Sequence, residues 1–170
     1  NISDRRSYLS LEGKVDGTPK LLMDNIGLHS GFMIVQYTSA ALASENKTLC
    51  FPASADSIPT SLGQEDHVSM GSIGGRKALR VCRNVEKILA TELLCAAQAM
   101  DFRRPLRSSD SLEAIHQQIR EHISHATEDR IFADDLAKAH ELIKSRTLLK
   151  TLSKQHTDTY SEFDKDYEAY

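Results

Sequence analysis

Two stretches of this chain are almost free of charge, and that constrains its fold more than any other feature. Residues 30–44 hold no charged side chain, and residues 88–100 hold only Glu92. Neither contains proline, so both can run as helices. A helix that is apolar or small on nearly every face must be surrounded by protein. A single domain of 170 residues struggles to enclose two such helices completely. The pattern therefore predicts either a subunit interface or a packing partner outside the chain.

The remaining sequence excludes several classes. Net charge is −3 with a pI of about 6.2, and the basic residues are scattered. Nothing in that balance attracts nucleic acid or an anionic membrane. The long uncharged stretch over residues 26–44 includes His29, Gln36, Thr38 and several serines, which does not suit a membrane span. The opening residues are polar and charged, unlike a signal peptide. Cys50, Cys82 and Cys95 are odd in number and lack metal-type spacing, so they read as reduced, mostly buried thiols of a cytoplasmic protein.

The chain divides into three stretches. Residues 1–29, with three glycines and Pro19, read as mostly loop with about one turn of helix. Residues 30–149 read as helical. Ser30 is placed to cap the first long helix, and prolines at 52 and 59 impose an irregular segment over 50–64. A second long helix is expected to start between Asp66 and Ser69 and to end near Phe102. Ala78, Val81, Val85, Ile88, Cys95, Ala99 and Phe102 would form its buried stripe. Gly71, Gly74 and Gly75 would admit another backbone close by. Asp110 with Glu113 reads as a capping box for a helix through Ala126, buried along Leu112, Ile115, Ile119 and Ile123. Asp134 or Asp135 would cap a last core helix carrying Leu136, His140 and Ile143. Residues 150–170 are a polar tail in which Tyr160, Phe163, Tyr167 and Tyr170 recur at helical spacing. No strand is apparent, so the expected class is all-α, a bundle of long helices.

Gln64, Glu65, Asp66 and His67 form the strongest chemical segment, where an irregular loop becomes a helix. Asp66 as an N-cap with solvated neighbours explains them. Acid, amide and imidazole groups lining a cleft explain them equally. His122 and His125 are one turn apart, a spacing that suits a metal, but no third ligand is evident, and with His116 they read as surface histidines. Glu92 reads as a carboxylate with a structural partner. Cys82 and Cys95 read as packing residues. The glycines at 71, 74 and 75 follow no strand and lack the phosphate-loop lysine pattern, so no nucleotide or metal site is assigned.

Three long segments resemble one family in order and without large gaps. They are GFMIVQYTSAALASENK (31–47), PASADSIPTSLGQEDHVSMGS (52–72) and NVEKILATELLCAAQAMDFR (84–103). All resemble the C-terminal region of the histidine ammonia-lyases. ISDRR (2–6) and DRIFADDLAKAHELIKS (129–145) are similar to flanking family segments. The likeness covers residues 2–149 and lapses after 150. It implies the C-terminal portion of the all-α ammonia-lyase fold, in a cytoplasmic homotetramer whose active sites combine several subunits. The implied reaction, in histidine degradation, converts L-histidine to trans-urocanate and ammonia. The implied electrophile is a 4-methylideneimidazol-5-one (MIO) ring made from an Ala-Ser-Gly tripeptide, which this chain lacks. An electrophile is needed because ammonia leaves poorly and the β-proton is weakly acidic. The family's substrate-pocket glutamate falls on Glu65, with Gln64 and His67 shaping the pocket. Relatives acting on phenylalanine or tyrosine typically lack that glutamate, so it points to histidine. The alternatives are a fragment of an aromatic ammonia-lyase or aminomutase, and a helical module kept for oligomerisation alone. On the first reading the chain by itself is catalytically incompetent.

Overall fold

The computed structural model describes residues 2–13, 17–55 and 57–155. Six α-helices carry the fold: α1 (Ile2–Leu11), α2 (Met33–Leu49), α3 (Gly71–Phe102), α4 (Asp110–Arg120), α5 (Phe132–Lys144) and α6 (Thr147–Gln155). Two isolated bridges, and no strand, occur among the described residues. The all-α expectation holds. The aromatic positions at 160, 163, 167 and 170 lie outside the described residues.

Helix α3 is the axis on which α1, α2 and α5 pack, while α4 and α5 meet α6. Its C-terminal half is the core. Ile88, Ala90, Leu94, Cys95 and Ala97 are buried there, beside Phe32 and Val35 from the α2 end and Ile119 from α4. Phe32 stacks at a tilt on Phe132, ring centroids 4.8 Å apart. Leu22 and Met23 are fully buried although they sit in irregular chain. Each such side chain contributes on the order of 2 kcal/mol, which is how a loop becomes part of a core.

The buried stripe of α3 is the expected one only in part: Ile88 and Cys95 are buried, and Ala99 and Phe102 pack against the core. Ala78 and Val85 face outward, and Asn84, Thr91 and Gln98 turn inward. Burying polar groups requires partners, and each has them. Asn84 Nδ2 donates to Glu45 Oε2 (2.8 Å) and Asn46 Oδ1 (2.9 Å). Thr91 Oγ1 donates to the carbonyl of Lys87 at 3.2 Å. Gln98 Nε2 donates to the carbonyls of Leu22 (3.2 Å) and Ala126 (2.8 Å), and its Oε1 accepts from Ala126 N at 3.1 Å. One side chain thus ties α3 to two irregular segments.

Several boundaries differ from expectation. The opening stretch, read as mostly loop, begins with the ten residues of α1. That helix has weak amphipathy and is held by α3: Ser7 is buried and Arg6 pairs with Glu92 at 3.1 Å. Glu92 therefore has the structural partner expected of it. Helix α3 starts at Gly71, and Asp66 does not cap it; the N-cap is Met70, and Ser69 Oγ accepts from Gly71 N at 3.3 Å. A Cβ on Gly74 or Gly75 would meet nothing within 4 Å, so no backbone of the described residues approaches them. The cap of α4 sits one residue early, at Ser109, and Glu113 Oε1 accepts from Ser108 N at 2.8 Å. The helix stops at Arg120, and Leu112 faces solvent. Asp134 and Asp135 lie inside the first turn of α5, where Asp135 pairs with Arg130 at 2.7 Å. Helix α6 was not anticipated as an element of its own. Cys50 and Cys82 are exposed; only Cys95 is buried.

Ser30 does not cap α2 with its side chain. Instead the Asp129 carboxylate accepts from Ser30 N (2.8 Å) and Gly31 N (2.7 Å). These backbone bonds, from Ser30 first, hold the Asp129 carboxyl below its ordinary value. Gly31 is obligatory there. Its φ is +57°, and a Cβ would sit 2.6 Å from the carbonyl oxygen of Leu21.

Candidate functional site

The segment 57–71 that carries the chemistry stands on the surface between α2 and α3. Its shape follows from a short turn. Thr60 is extended, and the next three residues all have positive φ: Ser61 (53°), Leu62 (58°) and Gly63 (88°). Only glycine adopts that region freely; each of the other two costs on the order of 1–2 kcal/mol. The reversal brings Thr60 opposite Glu65. Thr60 N donates to Glu65 O at 2.9 Å, and Glu65 N returns to Thr60 O at 3.3 Å. Further out, Ser57 Oγ accepts from Val68 N at 2.9 Å. The loop is closed twice by its own hydrogen bonds.

Gln64, Glu65, Asp66 and His67 are all exposed. Glu65 is fixed: its Oε2 accepts from Thr60 Oγ1 at 2.8 Å. His67 lines a cleft of about 260 Å³ with Ala53, Val68, Ser69, Met70, Gly71 and Gly74, and neither Gln64 nor Glu65 lines it. The structure therefore puts the expected residues on one loop without gathering them around one cavity. A held carboxylate facing outward can accept an N–H and orient the group that bears it. The prominent turn also leaves Leu62 fully exposed at its tip.

The histidines are arranged differently from expectation. His116 is buried, with Nε2 at ion-pair distance (2.8 Å) from Asp101 Oδ1 but off the line of a hydrogen bond. His125 Nδ1 lies 3.0 Å from Asp101 Oδ2, and Arg120 reaches the same oxygen at 2.7 Å. Burial draws the Arg120 guanidinium below its ordinary value, and Asp101 opposes that. Phe102 meets the His125 ring edge-on at 5.1 Å. His122 stays exposed beside Gln118. Of the three histidines read as surface residues only His122 is exposed, and no cluster able to hold a metal occurs among the described residues. Asp101 escaped the sequence reading because its partners lie 15–24 residues away on other elements. Cys95 is a packing residue: burial pushes its thiol up to about 12, which leaves little thiolate. No helix among the described residues is long and apolar enough to cross a membrane.

Comparison with known proteins matches the chain to one family. The model of the aromatic amino acid lyases matches residues 1–121. The histidine ammonia-lyase of Photobacterium profundum is 50% identical over 147 residues, covering 86% of this chain and 29% of that protein. The crystal structure of histidine ammonia-lyase from Trypanosoma cruzi superposes with a TM-score of 0.87 at 45% identity, over 91% of this chain and 31% of that one. A tyrosine aminomutase from Streptomyces globisporus superposes with a TM-score of 0.84 at 35% identity, over 90% of this chain and 30% of that one. The chain spans less than a third of the length of each of these relatives.

Proposed function

The chain belongs to the aromatic amino acid lyase family, and from that premise we propose that it is the C-terminal part of a histidine ammonia-lyase. The observation that carries this reading is the Glu65 carboxylate, held by Thr60 on an exposed loop. In the complete enzyme that loop supplies Glu65 to a pocket built mostly by other segments. The carboxylate accepts the substrate imidazole N–H and orients the ring, with Gln64 and His67 shaping the surroundings. The MIO ring implied by the family does not fit this chain alone, because no Ala-Ser-Gly run is present. Binding and orientation are what these residues contribute; no step of ammonia release runs through them alone.

The outward faces support a larger assembly. Met33, Ile34 and Tyr37 on α2, with Leu79 and Val85 on α3, are exposed apolar side chains. On this reading they belong to the helical bundle of a homotetramer in histidine catabolism. Two exposed, unpaired thiols at Cys50 and Cys82 suit the cytoplasm. The likeness to a tyrosine aminomutase keeps a second reading open, a fragment of an enzyme acting on aromatic substrates, and Glu65 separates the two.

The test uses both the chain and the full-length lyase carrying it. The isolated chain, incubated with L-histidine, is expected to give no urocanate absorbance; turnover would overturn its incompetence. In the full-length lyase, Glu65→Gln is expected to lower kcat/KM for histidine roughly 100-fold, the scale of a lost charge-assisted hydrogen bond. Unchanged histidine turnover in that variant would overturn the substrate assignment.

A further inference from the structure

Within the proposed lyase reading, on which this inference rests, the geometry assigns Thr60 as the residue that positions the substrate-orienting carboxylate of Glu65. Two independent features of the loop serve that one pairing. The first is the turn itself. Three successive left-handed residues, two of them not glycine, cost strain. Their effect is to set the backbones of Thr60 and Glu65 opposite each other, with reciprocal N–H to carbonyl bonds of 2.9 and 3.3 Å. The second is the side-chain bond, Thr60 Oγ1 donating to Glu65 Oε2 at 2.8 Å. A backbone bridge alone would fix where the glutamate starts but leave its three side-chain torsions free. The hydroxyl fixes where the carboxylate ends.

The chemistry of the pair is suited to binding a ring N–H. An ionised carboxylate offers about four acceptor positions on two oxygens. Thr60 occupies one of them on Oε2. Oε1 accepts no hydrogen bond from any described residue, so it is left for a ligand. Held this way, the carboxylate meets the ligand without first losing the rotamer freedom of a long exposed glutamate. Serine would keep the hydroxyl, whereas valine would keep the shape and remove the donor. Thr60 touches Glu65 and not the reacting atoms, so its role is positioning.

The experiment compares Thr60→Val, Thr60→Ser, Glu65→Gln and the double variant Thr60→Val/Glu65→Gln in the full-length lyase carrying this segment. Thr60→Val is expected to lower kcat/KM for histidine about tenfold, within the range of one hydrogen bond to a charged group, mainly through KM. Thr60→Ser is expected to stay within about twofold of the parent, since the donor survives. Adding Thr60→Val to Glu65→Gln is expected to change little, because the two residues act as a unit. Equal loss in the valine and serine variants, or full additivity in the double variant, would overturn the positioning role. A damaged Glu65→Gln with an unaffected Thr60→Val would also overturn it while leaving the lyase reading intact. An unaffected Glu65→Gln would instead sink the lyase reading from which the inference starts.

Discussion

The two halves of α3 belong to different environments, although one unbroken helix joins them. From Asn84 to Gln98 the helix buries eight side chains against α1, α2, α5 and the irregular segments. From Gly71 to Arg83 it buries none. The C-terminal half is enclosed by this chain's own residues. The N-terminal half, with the Glu65 loop at its foot and the outer face of α2 alongside, is left open to solvent. The candidate chemistry lies on the open half, which on the proposed reading meets other parts of the lyase. Substitutions should therefore divide sharply: those in the closed half damage folding, and those in the open half leave it alone.

The largest effect on folding is expected at Gln98. It is 1% exposed and makes three hydrogen bonds, to Leu22 and twice to Ala126. Gln98→Ala leaves those backbone groups unpaired and opens a cavity, a combined cost of about 3 kcal/mol. Urea unfolding followed by circular dichroism measures it. Gln98→Leu refills much of the volume without the polar groups, and its expected cost of about 2 kcal/mol isolates the hydrogen-bonding part. A value near zero for both would mean that the closed half is not the core.

A smaller, pH-dependent effect is expected from two carboxylates that tie the closed half together. The Arg104 guanidinium, and then Ser108 N, hold the Glu113 carboxyl at about 2, below its ordinary 4.5. Ser30 N and then Gly31 N hold Asp129 below its ordinary 3.8. A carboxyl depressed on folding adds stability above its unfolded value and loses it as pH falls through the folded one. Thermal unfolding midpoints should therefore drop as pH falls from about 4.5 toward 2. The variant Asp129→Asn should melt below the parent at neutral pH, and the gap should close below pH 3.8. A gap constant across that range would show that the Asp129 charge plays no part.

What the sequence revealed follows the same division. The end of α3 was readable at Phe102 because Pro105 stops a helix locally. The irregular 50–64 segment was readable from its prolines for the same reason. Helix α1 was not, because its hold is tertiary: Ser7 tucked beneath α3 and Arg6 reaching Glu92 across 86 residues. The polar share of the α3 stripe was hidden too. Asn84 and Gln98 look like surface residues until Glu45, Leu22 and Ala126 come alongside as partners. Asp129 gave no sign of holding the turn before α2, 98 residues earlier in the chain. At the site, Glu65 was legible only through resemblance. Its neighbour Thr60 needed the turn, since nothing in the sequence says that Ser61 and Leu62 take positive φ.

The smallest effect on folding is expected on the exposed apolar face of α2. Ile34 and Tyr37 on the outer face of α2 are 60% and 64% exposed. Replacing either with serine barely changes helix propensity, because isoleucine, tyrosine and serine rank close together. Neither side chain leaves a cavity, since neither is enclosed. Ile34→Ser or Tyr37→Ser should shift unfolding free energy by no more than about 0.5 kcal/mol, in the range of surface substitutions. The double variant should do more to association than to folding. Light scattering over a concentration series should find the parent chain self-associated and the double variant shifted toward monomer, because the removed side chains form an apolar patch that water penalises. A loss of stability comparable to that of Gln98→Ala would mean that this face is already packed within one chain. An unchanged, monomeric parent would mean that the face needs segments beyond these 170 residues rather than a second copy of them.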